Sequence, residues 1–147
     1  MKIFEEIKQL PEFERDLEKL KKRFRTIEED LDTLIKTELA LYHKLGIDNK
    51  GIFPIADLGI TYPRIFKVIK FACLSLKGKG VRSGLRLIYA YYEDKNRVEL
   101  VEIYYHDRGD EIEDRERIYK YYKKENCYLS KTTEKDTPQY LRCKYVL

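Results

Sequence analysis

The sequence predicts an α+β fold: an N-terminal helical hairpin packed on a twisted antiparallel sheet of three to four strands, with a short C-terminal helix. Three observations predict it. Up to Leu45, apolar residues recur three and four apart, the period of a helix face. From Leu85 to Tyr105 the period drops to two, in segments rich in aromatic and β-branched residues. Between these regimes stand Gly51, Pro54, Gly59 and Pro63, which interrupt regular structure. At 147 residues, the chain 1–147 reads as one domain with its own core.

The first helix spans Pro11 to Phe24. Leu10, Phe13, Leu17, Leu20 and Phe24 form one stripe. Pro11 suits a first turn, where its missing N–H has no helical partner to lose. Glu12, Glu14 and Asp16 come early and Lys21, Lys22 and Arg23 late, an order that complements the helix dipole. Thr26 with Glu29 three residues on reads as a capping box opening a second helix through Leu45. Its inner face is Ile27, Leu31, Leu34, Ile35, Leu41, Tyr42 and Leu45, and Gly46 stops it. Neither helix can hide its stripe alone, so each needs the other or a sheet.

Residues 47–63 read as an irregular connection whose Phe53, Ile55 and Leu58 cover part of the core. A strand follows from Ile65 to Leu74, then a glycine-rich basic loop, LKGKGVRSG, over Leu76–Gly84. Leu85–Tyr92 and Arg97–Tyr105, joined by the turn Glu93–Asn96, form an antiparallel hairpin. Leu85, Leu87, Tyr89 and Tyr91 point to one side; Arg86, Ile88, Ala90 and Tyr92 point to the other. Asp107–Asp114 is a polar loop. Glu113–Lys124 is a short helix packing through Ile118, Tyr119 and Tyr122. Beyond Asn126, residues 126–147 form a variable tail, in which LRCKYVL reads as a strand or as ordered tail.

The formal charge of +4 names no partner, but its distribution does more. From Leu58 to Tyr92 there is no Asp or Glu, against seven basic residues: Arg64, Lys67, Lys70, Lys77, Lys79, Arg82 and Arg86. Such a concentration of positive potential favours a polyanionic partner. The bland alternative is a solvated face; between the two stand a nucleic-acid patch and a surface for an acidic protein. The three cysteines, Cys73, Cys127 and Cys143, fit no zinc spacing, and with only His43 and His106 available no metal is expected. Cys73 reads as a small buried residue. No apolar run reaches the roughly 20 residues that span a bilayer. The N-terminus has no signal-peptide pattern, so a cytoplasmic location is the default and no membrane partner is expected.

Chemistry gathers at the basic loop. Lys77 and Lys79 stand two apart, and an extended loop would turn both toward one ligand. Arg86 offers a fork of donors suited to phosphate oxygens. Gly78, Gly80 and Gly84 let backbone approach a ligand closely. Antiparallel pairing brings the end of the third strand, with Tyr104, Tyr105, His106 and Arg108, to the start of the second. RNA cleavage needs a 2′-hydroxyl deprotonated, phosphoryl charge stabilised and a leaving oxygen protonated. Lysine and arginine can stabilise that charge, and histidine or tyrosine can move the proton. The centre has no clustered carboxylates of the kind a two-metal mechanism uses.

The order of these motifs resembles the RelE/ParE superfamily of toxins from type II toxin–antitoxin pairs, closest to the RelE/HigB-like branch. The resemblance runs from Phe13 to Tyr122. It rests on the helical hairpin, Leu-Lys-Gly at Leu76–Gly78, GLRLIY at Gly84–Tyr89, and Ile103–Tyr104 ending the next strand. It implies a metal-independent and cofactor-independent endoribonuclease that cleaves messenger RNA in the ribosomal A site and is neutralised by a cognate antitoxin. Carried over, it implies catalytic roles for Lys77, Lys79, Arg82, Arg86, Tyr104 and His106. Lys67, Lys70, Tyr105 and Arg108 are expected to bind substrate. His106 departs from the pattern, since some relatives carry lysine there; a histidine titrates near neutrality and can serve as acid or base. The ParE branch acts on DNA gyrase instead, so a gyrase-binding toxin and an inactive RNA-binding relative remain alternatives.

Overall fold

The computed structural model describes residues 3–106 and 112–123. They build an α+β fold around one mixed, five-stranded sheet. The elements are β1 (Glu6–Gln9), α1 (Pro11–Lys21), α2 (Ile27–Leu34), α3 (Ala40–Leu45), β2 (Ile52–Pro54), β3 (Arg64–Val68), β4 (Leu85–Tyr92), β5 (Arg97–Tyr105) and α4 (Arg115–Ile118). The sheet order is β1-β5-β4-β3-β2. By its internal contacts the chain divides into two compact units. One holds the described residues within Met1–Ile55 and Ile65–Glu113, the other those within Ala56–Arg64 and Asp114–Leu147.

The expected sheet of three to four antiparallel strands is corrected to five mixed ones. The β4–β5 hairpin pairs antiparallel, and so do β2 and β3. The additional strand, β1, runs parallel to β5, with Glu6 opposite Arg97 and Gln9 opposite Leu100. All four residues of β1 are exposed, so EIKQ carries no alternation that a sequence pattern could register. β2 was expected to be irregular because it contains Pro54. At a sheet edge proline forfeits no ladder bond, and Pro54 pairs with Phe66 there. Phe53, expected in the core, is exposed instead, whereas Leu58 is buried. β3 ends at Val68 rather than Leu74.

Helices α1 and α2 bury apolar residues against the sheet and one another. Phe13, Leu17, Phe24, Ile27, Leu31 and Leu34 are buried. The Phe24 ring meets Tyr105 at 5.2 Å, Phe4 meets Tyr91 at 6.1 Å, and His43 donates to or accepts from the Tyr89 hydroxyl at 2.6 Å. Between α2 and α3 the helix widens into a π-turn, Ile35–Leu39. A π-turn holds more residues than an α-turn and re-phases whatever follows. Of the expected inner face, Ile27, Leu31, Leu34 and Ile35 are buried; beyond the π-turn Leu41 and Tyr42 are half-buried and Leu45 is largely exposed, while Leu39, not expected there, is fully buried. Gly46 ends the helix in the left-handed conformation, φ 69°. The capping box at Thr26 does not form: its hydroxyl donates to Asp30 Oδ2 at 2.7 Å and accepts from no backbone N–H of its own helix. The short C-terminal helix begins at Arg115, capped by Asp114 accepting from the Arg117 N–H, and continues as a π-turn over Tyr119–Lys123.

Candidate functional site

The pairing of β4 with β5 sets the geometry. Leu85 lies opposite Tyr105, Arg86 opposite Tyr104 and Leu87 opposite Ile103. The next rung is closed by the His106 N–H donating to the Gly84 carbonyl at 2.7 Å. Opposed residues share a face and neighbours along a strand alternate. Arg86, Tyr104 and His106 therefore stand on one face, on neighbouring rungs at one end of the hairpin. Tyr105 belongs to the other face, where its ring packs on Phe24 with the Arg23 guanidinium 4.6 Å above it. The expected role of Tyr105 beside the other site residues does not fit that placement.

Gly84 makes the close rung possible. Its φ is +92°, and a Cβ there would stand 2.8 Å from the His106 carbonyl oxygen. Just before it, Ser83 is buried; its hydroxyl donates to the Phe71 carbonyl and accepts from the Leu85 N–H. The basic loop is thus pinned at its exit. Inside the loop the chain is not extended. The Leu76 N–H donates to Cys73 O, Lys79 N–H to Leu76 O, and Arg82 N–H to Lys79 O, three turns in succession. Gly78 and Gly80 take positive φ among them. Lys77, Lys79 and Arg82 are exposed, and their side chains form no hydrogen bond or ion pair among the described residues.

Arg86 is half-buried. Its Nη1 donates to Ile69 O at 3.1 Å and to Leu85 O at 3.4 Å. Those bonds fix the guanidinium while Nε and Nη2 remain without a partner among the described residues. Lys67 on β3 comes to the same face, its ammonium 6.0 Å from the Tyr104 ring centre. It is held by Glu113 at 2.9 Å, with 16% of its side chain exposed against 8% for Glu113. Nothing in the sequence pattern singled out Glu113 as a partner 46 residues away. Burial by itself would lower the Lys67 ammonium pKa, but Glu113 and Tyr104 outweigh it and the net shift is upward. Burial raises the Tyr104 phenol; Lys67 opposes the rise, while Glu113 and Glu102 add to it. The Tyr104 hydroxyl is buried beside the Lys67 ammonium, and among the described residues it makes no close hydrogen bond.

Lys70, expected to bind substrate, is half-buried and engaged with backbone. Its stem lies over Gly51 and its ammonium donates to the Asn49 carbonyl at 2.6 Å. Arg108 lies outside the described residues. Cys73 is buried and unpaired, and burial, with the Asp30 carboxylate nearby, pushes its thiol pKa up, which disfavours the thiolate. Among the described residues no three His, Cys, Asp or Glu side chains gather as metal ligands, and no helix is long and apolar enough to cross a membrane. Arg86 thus presents two unused guanidinium donors on the face that also carries Tyr104 and His106. No family model matches the chain, and no curated protein is similar to it.

Proposed function

We propose that this chain is the toxin of a type II toxin–antitoxin pair, a RelE/HigB-like member of the RelE/ParE superfamily that cleaves messenger RNA in the ribosomal A site. One observation carries the reading: Arg86, Tyr104 and His106 share a face on neighbouring rungs, where the basic loop re-enters the sheet. In the reaction, His106 takes the proton from a ribose 2′-hydroxyl. The 2′-oxygen bonds to phosphorus as the bond from phosphorus to the 5′-oxygen breaks. The products are a 2′,3′-cyclic phosphate and a 5′-hydroxyl, the latter protonated by Tyr104 or water. The free Nε and Nη2 of Arg86 face the phosphoryl oxygens as charge develops, the moment when fixed donors contribute most. Lys77, Lys79 and Arg82 hold the flanking phosphates.

Expression of the chain alone tests this. The expected outcome is translation arrest with messenger RNA cut within codons, suppressed by a co-expressed antitoxin. DNA damage with intact messenger RNA would instead identify a gyrase-directed toxin. An absence of both effects would leave an RNA-binding relative without toxic activity.

A further inference from the structure

The basic loop is tied at its entrance to the first turn of α2 by a closed set of hydrogen bonds. Asp30, only 6% exposed, accepts from Thr26 Oγ1 at 2.7 Å and from the Leu74 N–H at 3.0 Å through the same oxygen. Thr26 Oγ1 accepts from the Ser75 N–H at 3.0 Å and lies 2.8 Å from Ser75 Oγ, which itself accepts from the Thr26 N–H at 3.0 Å. A threonine hydroxyl has one proton and two lone pairs. With its proton on Asp30, both lone pairs of Thr26 face Ser75, so the serine hydroxyl donates; the Cys73 Sγ lies farther from Thr26 Oγ1, at 3.9 Å. These partners lie 44 to 49 residues apart in sequence. The first of the three loop turns starts at Cys73, immediately before the tied residues Leu74 and Ser75.

We infer that Thr26, Asp30 and Ser75 form a clamp that positions the cation-bearing loop on the helical hairpin, so that α2 sets where Lys77, Lys79 and Arg82 stand. The three residues are positioning residues, since none needs to touch RNA. The RNA-positioning part of this inference rests on the proposed function. The clamp itself is a property of the fold. The exit of the loop is held separately, through Ser83 and Gly84, so loosening the entrance leaves the β4–β5 rungs in place.

Thr26→Val keeps the shape and removes the hydroxyl, and Thr26→Ser restores it. Two measurements on the full chain decide. By amide hydrogen exchange, Ser75, Leu76 and Lys79 should exchange about five- to tenfold faster in Thr26→Val, the effect of about one lost hydrogen bond. His106, bonded across the hairpin, should be unchanged, and Thr26→Ser should match the parent. By titration of a single-stranded RNA oligonucleotide at several salt concentrations, the slope of log affinity against log salt should fall by about 0.7 for each loop cation that disengages. A purely structural role would lower the melting temperature without moving that slope. Unchanged exchange in folded Thr26→Val overturns the clamp. Faster exchange with an unchanged slope overturns its positioning role. If the parent binds no RNA oligonucleotide, the positioning of loop cations for RNA is overturned, the exchange result still decides the clamp, and cleavage on ribosomes decides the proposed function separately.

Discussion

At the scale of single residues, Tyr104 separates stability from function most cleanly. Its hydroxyl is buried beside Lys67 without a close hydrogen bond among the described residues, and a poorly satisfied buried donor is a cost to the fold. Tyr104→Phe should therefore be neutral or stabilising, by up to about 1 kcal/mol in urea denaturation. RNA cleavage should fall by about 100-fold, the usual contribution of a proton-transfer group. A variant that loses stability and keeps activity would remove Tyr104 from the site. The candidacy of Arg86, Tyr104 and His106 was legible because strand alternation and the hairpin turn fix which side chains share a face. The partner of Lys67 was not legible. Ion pairing between positions 67 and 113 depends on where the chain returns in space, which no local period encodes. The bond from the Lys70 ammonium to the Asn49 carbonyl was hidden for the same reason.

At the scale of elements, the rung between Gly84 and His106 is the tightest point. Gly84→Ala adds a Cβ 2.8 Å from the His106 carbonyl at a φ of +92°. We expect a loss of about 2–3 kcal/mol in stability, combining the left-handed backbone with the displaced strand. Gly78→Ala and Gly80→Ala meet only open space and should cost about 1 kcal/mol each. Equal costs at all three positions would mean that the close rung contributes nothing. The strands β4 and β5 were readable to the residue, because each is a run rich in aromatic and β-branched residues, buried almost throughout, and the turn between them is short. β1 was not, since its four exposed residues gain their strand state from pairing with β5. The π-turn in the helical hairpin was equally hidden. It changes which residues face inward without changing their spacing in sequence.

At the scale of the whole molecule, several buried groups respond to alkali in the same sense. Cys73, Tyr91, Tyr104 and Lys67 all have folded-state pKa values raised above their ordinary ones. For the first three the first cause is burial; for Lys67, Glu113 and Tyr104 overcome it. A raised value means that the folded chain holds more protons than the unfolded one as the pH climbs past the unfolded value. Stability then falls with rising pH. It is complete below about pH 8.5 and declines through the range in which thiol, phenol and ammonium groups ordinarily titrate, up to about pH 11 and beyond. Melting temperatures measured from pH 7 to 11 should drop across that window, and Tyr104→Phe should flatten the drop. A flat profile in the parent would contradict the burial assigned to these groups. The general fold class was legible from periodicity. The strand count and the parallel edge emerge only from long-range pairing.

The most direct measurement is cleavage of a defined messenger RNA on purified ribosomes, comparing the parent with Arg86→Ala and with circular dichroism confirming that both are folded. The parent should cut within the A-site codon and leave a 2′,3′-cyclic phosphate, and Arg86→Ala should cut at least about 100-fold more slowly, as loss of a preorganised charge-stabilising donor requires. Equal cleavage by the two proteins, or no cleavage by a folded parent on a programmed ribosome, would contradict the assignment of this face to RNA hydrolysis.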